Sequence, residues 1–528
     1  MTSSSGSWLL IVLLLLPLVG GAGVALLREQ RIARLAALGL SVLEFAFAVA
    51  MWFDYHASGP RLQLHSSVDW ISTFGVHISF GVDGIAMVMI AMIAFLTPVV
   101  IASSWREKLP AGRGVGGYFG LLLAMESVVI GVFAATDVFL FYVLFEVMLV
   151  PMYFLIGRYG GPNRQYAAVK FFLYSFLGGL LMLGSVIGIY VVTSNAGRAN
   201  FDWPTVLHTV QGLPTGTQVL MWFGFFIAFA IKAPLVPLHT WLPDATAEAP
   251  IAVGVMLVGV LDKVGVFGFL RYNIELFPQA SKVLAPLVLV LAVAGVLYGS
   301  LLAAGQSDMK RFVAYVSIAH FGFIALGVFA FTQQAGVGAV SYMVNHSIST
   351  GMFLVVIGMV IARGGSRRAE DYGGMAKLTP LLSGAMFIAG LTTLSLPGTN
   401  SFVSEFLVLL GAYRTQPVYT ILATVGMIFA ALYVLWLYQR VMHGPVRGNA
   451  LVNVAGGPGA AQSPDPAARK SITDLGGWEK AVLAPLIFLV LALGFYPSPL
   501  LNKVGSSVSA TLTAVGVHAD SGSGAEGK

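Results

Sequence analysis

The sequence predicts an all-α polytopic membrane protein of about fourteen transmembrane helices, and three observations carry that prediction. Hydrophobic residues make up 57% of the 528 positions and charged residues only 10%, where a soluble domain carries about 25%. Mean hydropathy is +0.85. Apolar runs of about 20 residues, enough to cross about 30 Å of hydrocarbon, recur along nearly the whole chain. A soluble particle could not hide that much apolar surface, so lipid must be the solvent for most of it.

The runs lie at 8–27, 34–53, 84–103, 118–134, 137–154, 166–193, 218–245, 249–270, 284–305, 309–331, 337–361, 382–413, 418–442 and 479–499. The first has no basic leader, because Met1 to Ser7 includes no Lys or Arg, and is expected to stay in the mature protein. The segment between Asp54 and Asp83 is too polar to span and is expected to fold against the outer surface. Residues 443–478, with Gly-Gly-Pro-Gly and Ser-Pro-Asp-Pro, have no helical period and read as a linker. Ser506–Lys528 drifts from a weakly apolar stretch into a Gly/Ser tail, expected to be disordered at its end. The organisation read from this is 1–117 for helices one to three and an outer loop, 118–270 and 284–442 for two five-helix units, 443–478 for the linker, and 479–528 for helix fourteen and an outer tail.

The basic residues orient the bundle. With the N-terminus outside, twenty of the 29 Lys and Arg fall on the cytoplasmic side and seven outside, leaving Lys232 and Lys263 within the membrane. Such a bias sets orientation, so both termini are expected to face outward. The net charge of +6 therefore reports cytoplasmic loops rather than nucleic-acid binding. Cysteine is absent, which excludes disulfides, thiolate-bound zinc and iron–sulfur clusters in this chain. No phosphate-binding glycine loop, nucleophile elbow or metal-ligand cluster is present, so no cofactor, metal or substrate chemistry is expected here. Histidines 56, 65, 77, 208, 443 and 518 are scattered in loops, tails and helix ends.

Helices four to eight and nine to thirteen share a layout, and the fourth of each set is interrupted: Lys232-Ala-Pro-Leu-Val-Pro237 in one, Leu396-Pro-Gly-Thr-Asn-Ser401 in the other. An odd number of helices per set forces the second set into opposite polarity. Inverted repeats with paired broken helices are a transporter architecture with ion sites near the midplane. Pro and Gly are common in membrane helices, and packing alone would explain both kinks; their matched positions in the two halves favour function.

A charge isolated at the bilayer centre costs at least about 2.5–3.5 kcal/mol, so intramembrane ionisable residues face protein or water and usually work. Glu146, Lys232, Lys263, His320, His346 and Glu405 form such a set, alternating groups whose proton affinity burial and neighbours tune. A static ion pair would account for Glu146 and Lys232, and a satisfied core histidine for His320 or His346. Glu44 and Glu126 are intramembrane without an evident partner. Asp262 is next to Lys263, but successive helical residues diverge by about 100°, so contact is not required. Asp137 and Lys170 lie near span ends, where snorkelling suffices.

Three motifs accompany these residues: Phe80-Gly-Val-Asp-Gly-Ile85, Pro237-Leu-His-Thr-Trp-Leu-Pro-Asp-Ala-Thr-Ala-Glu-Ala-Pro250 and Leu396-Pro-Gly-Thr-Asn-Ser-Phe-Val-Ser-Glu-Phe406. The chain resembles, over essentially its whole length, the antiporter-like subunits of respiratory complex I. Within that family the M type places a glutamate in broken helix twelve where L and N types place lysine, so Glu405 favours the M type. An L-type chain would also continue into a long lateral helix. The resemblance implies that Glu146 and Lys232 are a modulating pair and Lys263 the central lysine. It implies that His320 and His346 continue a proton path ending at Glu405, with His239 a helper and Asp262 and Glu126 possible ones. It also implies a bacterial inner-membrane location and partners among L- and N-type chains and small membrane subunits. FMN, iron–sulfur clusters and quinone would reside in partner subunits. Asp262, at a place usually apolar, and Thr246, where histidine is frequent, depart from the family pattern.

Two other functions compete with a proton-translocating subunit of NADH:quinone oxidoreductase. A subunit of a multisubunit Na⁺/H⁺ antiporter shares most motifs but has no redox partners. A stand-alone transporter of an organic substrate is disfavoured by low polarity outside the ionisable axis.

Overall fold

The computed structural model describes residues 2–3, 6–107, 109–197, 199–451 and 472–517. Among them, thirteen helices are long and apolar enough to cross a membrane. A fourteenth span is divided between two short helices, Pro380–Thr393 and Asn400–Tyr413. Counted along the chain, the fourteen follow the apolar runs closely. Span two is Gln30–Asp54, span three Gly84–Arg106, span four Val115–Ala134, span five Val138–Tyr159 and span six Arg164–Asn195. Span seven begins as Thr215–Lys232 and resumes as Trp241–Glu248 after its break. Span eight is Ile251–Ile274, span nine Pro278–Ala304, span ten Met309–Phe329 and span eleven Gln333–Gly364. Span twelve is the divided one, followed by Pro417–Met442 and Gly477–Phe495.

Spans eight, ten and eleven are enclosed by other helices, whereas span one (Ser7–Leu26) and spans two, thirteen and fourteen are largely exposed at the rim of the bundle. The enclosed helices carry Asp262, Lys263, His320 and His346. A polar side chain there meets protein rather than lipid, the only setting in which it is tolerated.

Short polar side chains start several helices. Asp83 Oδ1 accepts from Ala86 N at 2.9 Å, Asp137 Oδ1 from Phe139 N and Leu140 N at 2.9 and 3.0 Å, and Asp308 Oδ1 from Lys310 N at 2.9 Å. Each satisfies amide donors that a helix start leaves open. Asp137 therefore does not snorkel; it is fully buried as a cap. Lys170 does not simply snorkel either, because its Nζ donates to Asp244 Oδ2 at 2.7 Å.

The all-α expectation needs one correction. Between spans two and three, strands Gln63–Ile71 and Val76–Val82 form an antiparallel hairpin, and Thr2–Ser3 adds a third strand. Gly75 turns it at φ 65°, a conformation that costs glycine little. A second correction concerns the C-terminal tail. Residues Ser498–Ala514 form a helix at the hairpin end of the bundle, with Leu500, Val504, Ser507, Val508, Thr511 and Leu512 buried at helical spacing. Lys503 Nζ donates to Trp52 O and Tyr55 O at 2.9 and 2.6 Å, and Ser507 Oγ accepts from Gly84 N at 2.8 Å. Its alternation of small polar and apolar residues averages to weak hydrophobicity, which hid the helix in the sequence. The expected disorder at the chain end and most of the linker lie outside the described residues.

At the opposite end an ion network ties the loops. Asp244 also accepts from Arg311 at 2.5 Å, Arg367 reaches Glu248 at 3.1 Å and Asp308 at 2.8 Å, and Arg363 forks onto Glu479 at 2.8 and 2.9 Å.

Candidate functional site, a buried ionisable axis

The break in span seven follows from Pro234 and Pro237, neither of which has an amide hydrogen to continue the ladder. Carbonyls left open near the helix end find other donors: Leu235 N reaches Ala230 O at 2.9 Å, and Trp241 Nε1 reaches Ile231 O at 2.8 Å. Lys232 is the last helical residue, fully buried, and its Nζ donates to Ser175 Oγ of span six at 3.1 Å. Phe171 and Phe145 place their rings 4.9 and 5.5 Å from the ammonium.

Glu146 is the penultimate residue of Val138–Val147, the first helical segment of span five, which is interrupted at Met148. No salt bridge joins Glu146 to Lys232, so the static ion pair anticipated as the alternative reading is absent. The carboxylate instead lies over Gly179 of span six, where an added Cβ would fall 1.7 Å from Glu146 Oε1. Oε1 is buried without a hydrogen-bond partner. Ser175 and Gly179 are one turn apart, so one helix face receives the lysine and the carboxylate in succession.

Span eight widens into a π-helix over Leu257–Leu261, just before Lys263. Asp262 N reaches back to Leu257 O at 3.3 Å, and Val258 O is thereby released from its α-helical partner. Lys263 Nζ takes that carbonyl at 2.5 Å, Asp262 Oδ1 at 3.0 Å and His346 Nδ1 at 2.7 Å. The expectation that Asp262 and Lys263 need not touch is thus overturned. The lysine stem is long enough to fold back along a helix already distorted at that turn. Gly265, two residues on, packs so closely that a Cβ would stand 2.5 Å from Ala233 N, bringing span eight against the break in span seven.

From Lys263 the polar groups continue across spans ten, eleven and twelve. The rings of His346 and His320 are 5.3 Å apart edge to face, and His320 is 5.7 Å from Tyr342. Tyr342 Oη donates to Glu405 Oε2 at 2.7 Å, and Ser395 Oγ donates to the same oxygen at 2.6 Å. Ser395 lies in the break of span twelve with φ 58°, followed by Pro397 and Gly398. Asn345 Nδ2 donates to Asn400 O at 2.9 Å and fastens the restart of the helix to span eleven. His346 Nε2 and His320 Nδ1 are buried without hydrogen-bond partners.

Lys263, Asp262, His346, His320 and Glu405 therefore form one connected set, with Lys232 and Glu146 a second group at the neighbouring break. His239 lies within that break, its Nδ1 unpartnered and its ring 5.1 Å from Tyr298. Glu126 is not part of either group; it faces Glu44 across spans two and four. Tyr342, Ser395, Ser175 and Gly179 have no charge to mark them within the apolar runs of the sequence. Tyr342 precedes His346 by four residues, a spacing that puts both on one helix face and could have marked it.

Taken together, these features define a helical membrane protein whose two interrupted spans flank a buried chain of ionisable and hydrogen-bonding side chains. Residues 135–430 match the family model described as NADH:quinone oxidoreductase/Mrp antiporter, TM, and the chain belongs to that family. It is 41% identical to NADH-quinone oxidoreductase subunit M of Mycobacterium tuberculosis, covering 96% of this chain and 95% of the relative. Its fold matches a chain of respiratory complex I from Thermus thermophilus with a TM-score of 0.84 at 29% identity, over 96% of this chain and all (100%) of that one. A chain of the Mrp complex from a Dietzia species shares the fold, with a TM-score of 0.79 at 21% identity, over 96% of this chain and 55% of the other.

Proposed function

We propose that the chain is the M-type proton-translocating membrane subunit of NADH:quinone oxidoreductase. The observation that carries this reading is the unbroken set Lys263, His346, His320, Tyr342 and Glu405, each within contact of the next. Protons reach Lys232 beside Glu146, pass by water to Lys263, and leave through the histidines and Tyr342 to Glu405. His239 lies next to the first step and Asp262 holds Lys263 between transfers. Residues 118–270 and 284–442 act as inverted repeats, each supplying one interrupted helix. Energy comes from quinone reduction in partner subunits, which hold FMN, iron–sulfur clusters and the quinone site. L- and N-type chains and small membrane subunits are the neighbours in the bacterial inner membrane. Both termini face outward.

The Na⁺/H⁺ antiporter reading is less supported: the relatives of high identity carry the oxidoreductase name, and the Mrp likeness is one of fold. Purification of the tagged chain from its native membrane tests the choice. Recovery of flavin and iron–sulfur subunits with NADH-driven proton uptake supports the oxidoreductase; recovery of membrane subunits alone overturns it. The same cysteine-free chain tests orientation. Ser58→Cys at the hairpin end is expected to label from outside and Ala111→Cys from the cytoplasm.

A further inference from the structure

Spans two, three and four enclose a second pair of acids away from the axis. Glu44 and Glu126 are both 0% exposed and face one another, with Thr97 of span three beside Glu126. None of the four carboxyl oxygens has a hydrogen-bond partner. Thr97 does not supply one, because its hydroxyl donates to Ile93 O at 3.0 Å.

No cation answers the pair among the described residues. Helices Ser7–Leu26 and Gly84–Ser103 carry no ionisable side chain at all. Val115–Ala134 adds only Tyr118, which donates to Glu107 at 3.3 Å. On span two, Arg31 and Arg34 lie near one end and Asp54 at the other. In the other segments packed on span four, Glu146 is turned to Gly179 and Lys263 to His346.

Two carboxylates in such a place suffer twice. Their like charges repel in a medium that screens little, and both are acceptors only, so neither can satisfy the other. One proton between them removes one negative charge and converts one group into the donor that its neighbour lacks. We propose that Glu44 and Glu126 form an acid–carboxylate pair that binds one exchangeable proton, a second proton site lateral to the lysine–histidine axis. The proton comes from water and returns to it; one O–H bond forms or breaks and nothing else changes. The site stands whether or not the axis conducts.

Infrared difference spectroscopy on the purified native complex, with exchange from light to heavy water, tests this. The wild type at neutral pH is expected to show a deuterium-sensitive carboxylic-acid carbonyl band that is missing from Glu44→Gln/Glu126→Gln. A double variant with the wild-type band pattern overturns the proposal. So does a band that disappears when sodium replaces potassium at fixed pH, since the pair would then be a cation site. Should the variant not assemble, a hydrophobic carbodiimide applied to the wild-type complex takes its place. That reagent takes up the carboxyl proton on nitrogen and the carboxylate oxygen on carbon. Peptide mass mapping is expected to find the adduct on Glu44 or Glu126 at neutral pH. Absence from both overturns the inference.

Discussion

Lys263 Nζ and His346 Nδ1 lie 2.7 Å apart, between spans eight and eleven. An ammonium can only donate, so Nδ1 is the acceptor and the imidazole proton belongs on Nε2. That nitrogen has no partner, and the His320 ring is the next polar group, 5.3 Å away between centroids. In the proposed path this geometry would hold the relay between transfers. His346→Phe should fill the same space and lower proton pumping at least tenfold, about 1.4 kcal/mol on the barrier. Lys263→Arg is the sharper test, since arginine keeps the charge but does not release a proton. It should impair pumping as much as His346→Phe in a fully assembled complex. Normal pumping by Lys263→Arg would mean that this residue never deprotonates.

Gly179 gives a way to disturb Glu146 without touching a charge. An alanine Cβ there would sit 1.7 Å from Glu146 Oε1, so the carboxylate must move. Gly179→Ala is expected to lower coupled activity as much as Glu146→Ala, each on the order of tenfold. Gly184→Ala, on the same helix with no atom within 4 Å of the new Cβ, is the control and should be neutral. Because Glu146 and Lys232 act on one step in this scheme, Glu146→Ala/Lys232→Ala should be little worse than either single change. Additive losses would separate the two residues.

The fourteen spans and both interrupted helices were legible because hydrophobic length and proline placement are local properties of the sequence. The six ionisable candidates could be picked out for the same reason: an ionisable residue within an apolar run stands out. What joins them was not. Tyr342 and Ser395 look like ordinary polar residues until the fold places both hydroxyls on Glu405. The contact of Asp262 with Lys263 depends on the π-helical turn at Leu257–Leu261, which has no simple sequence signature. Glu44 and Glu126 are 82 positions apart along the chain, and only the packing of spans two and four makes them a pair.

Asp83 offers a prediction at the hairpin end. It is fully buried; Arg271 Nη2 donates to its Oδ2 at 2.5 Å, and Arg61 lies 3.9 Å away. Burial pushes its proton affinity up, but the Arg271 and Arg61 guanidiniums and the Ala86 amide outweigh that and hold the carboxyl below its ordinary value. A lowered folded-state value gives stability that is complete above the unfolded value, about 4, and fades as pH falls through the folded one. Asp83→Asn should therefore lower the thermal unfolding temperature by the same amount at pH 6 and pH 8. The gap to wild type should close only below about pH 4. Removing one partner of a buried pair costs about 3–5 kcal/mol, toward the lower end here because Glu275 also approaches Arg271, at 4.0 Å. A gap that widened with acidification would show that Asp83 is protonated in the folded protein.

Glu405 accepts two hydroxyl hydrogen bonds on one oxygen, and that arrangement separates packing from titration. Glu405→Gln keeps the shape and an amide oxygen that accepts from Tyr342 and Ser395, but it cannot gain or lose a proton. Tyr342→Phe leaves the acid in place and removes the hydroxyl that stands between it and His320, 5.7 Å from Tyr342 between ring centroids. Ser395→Ala removes only the donor on the far side of the carboxylate. If Glu405 were a packing residue, the glutamine variant would be the mildest of the three. If it is the terminal proton carrier, the order reverses. Glu405→Gln should abolish pumping in an assembled complex, Tyr342→Phe should slow it about tenfold, and Ser395→Ala should change it least. Proton release measured in reconstituted vesicles, with subunit content verified, reads that order directly. Normal release by Glu405→Gln would move the exit to another residue.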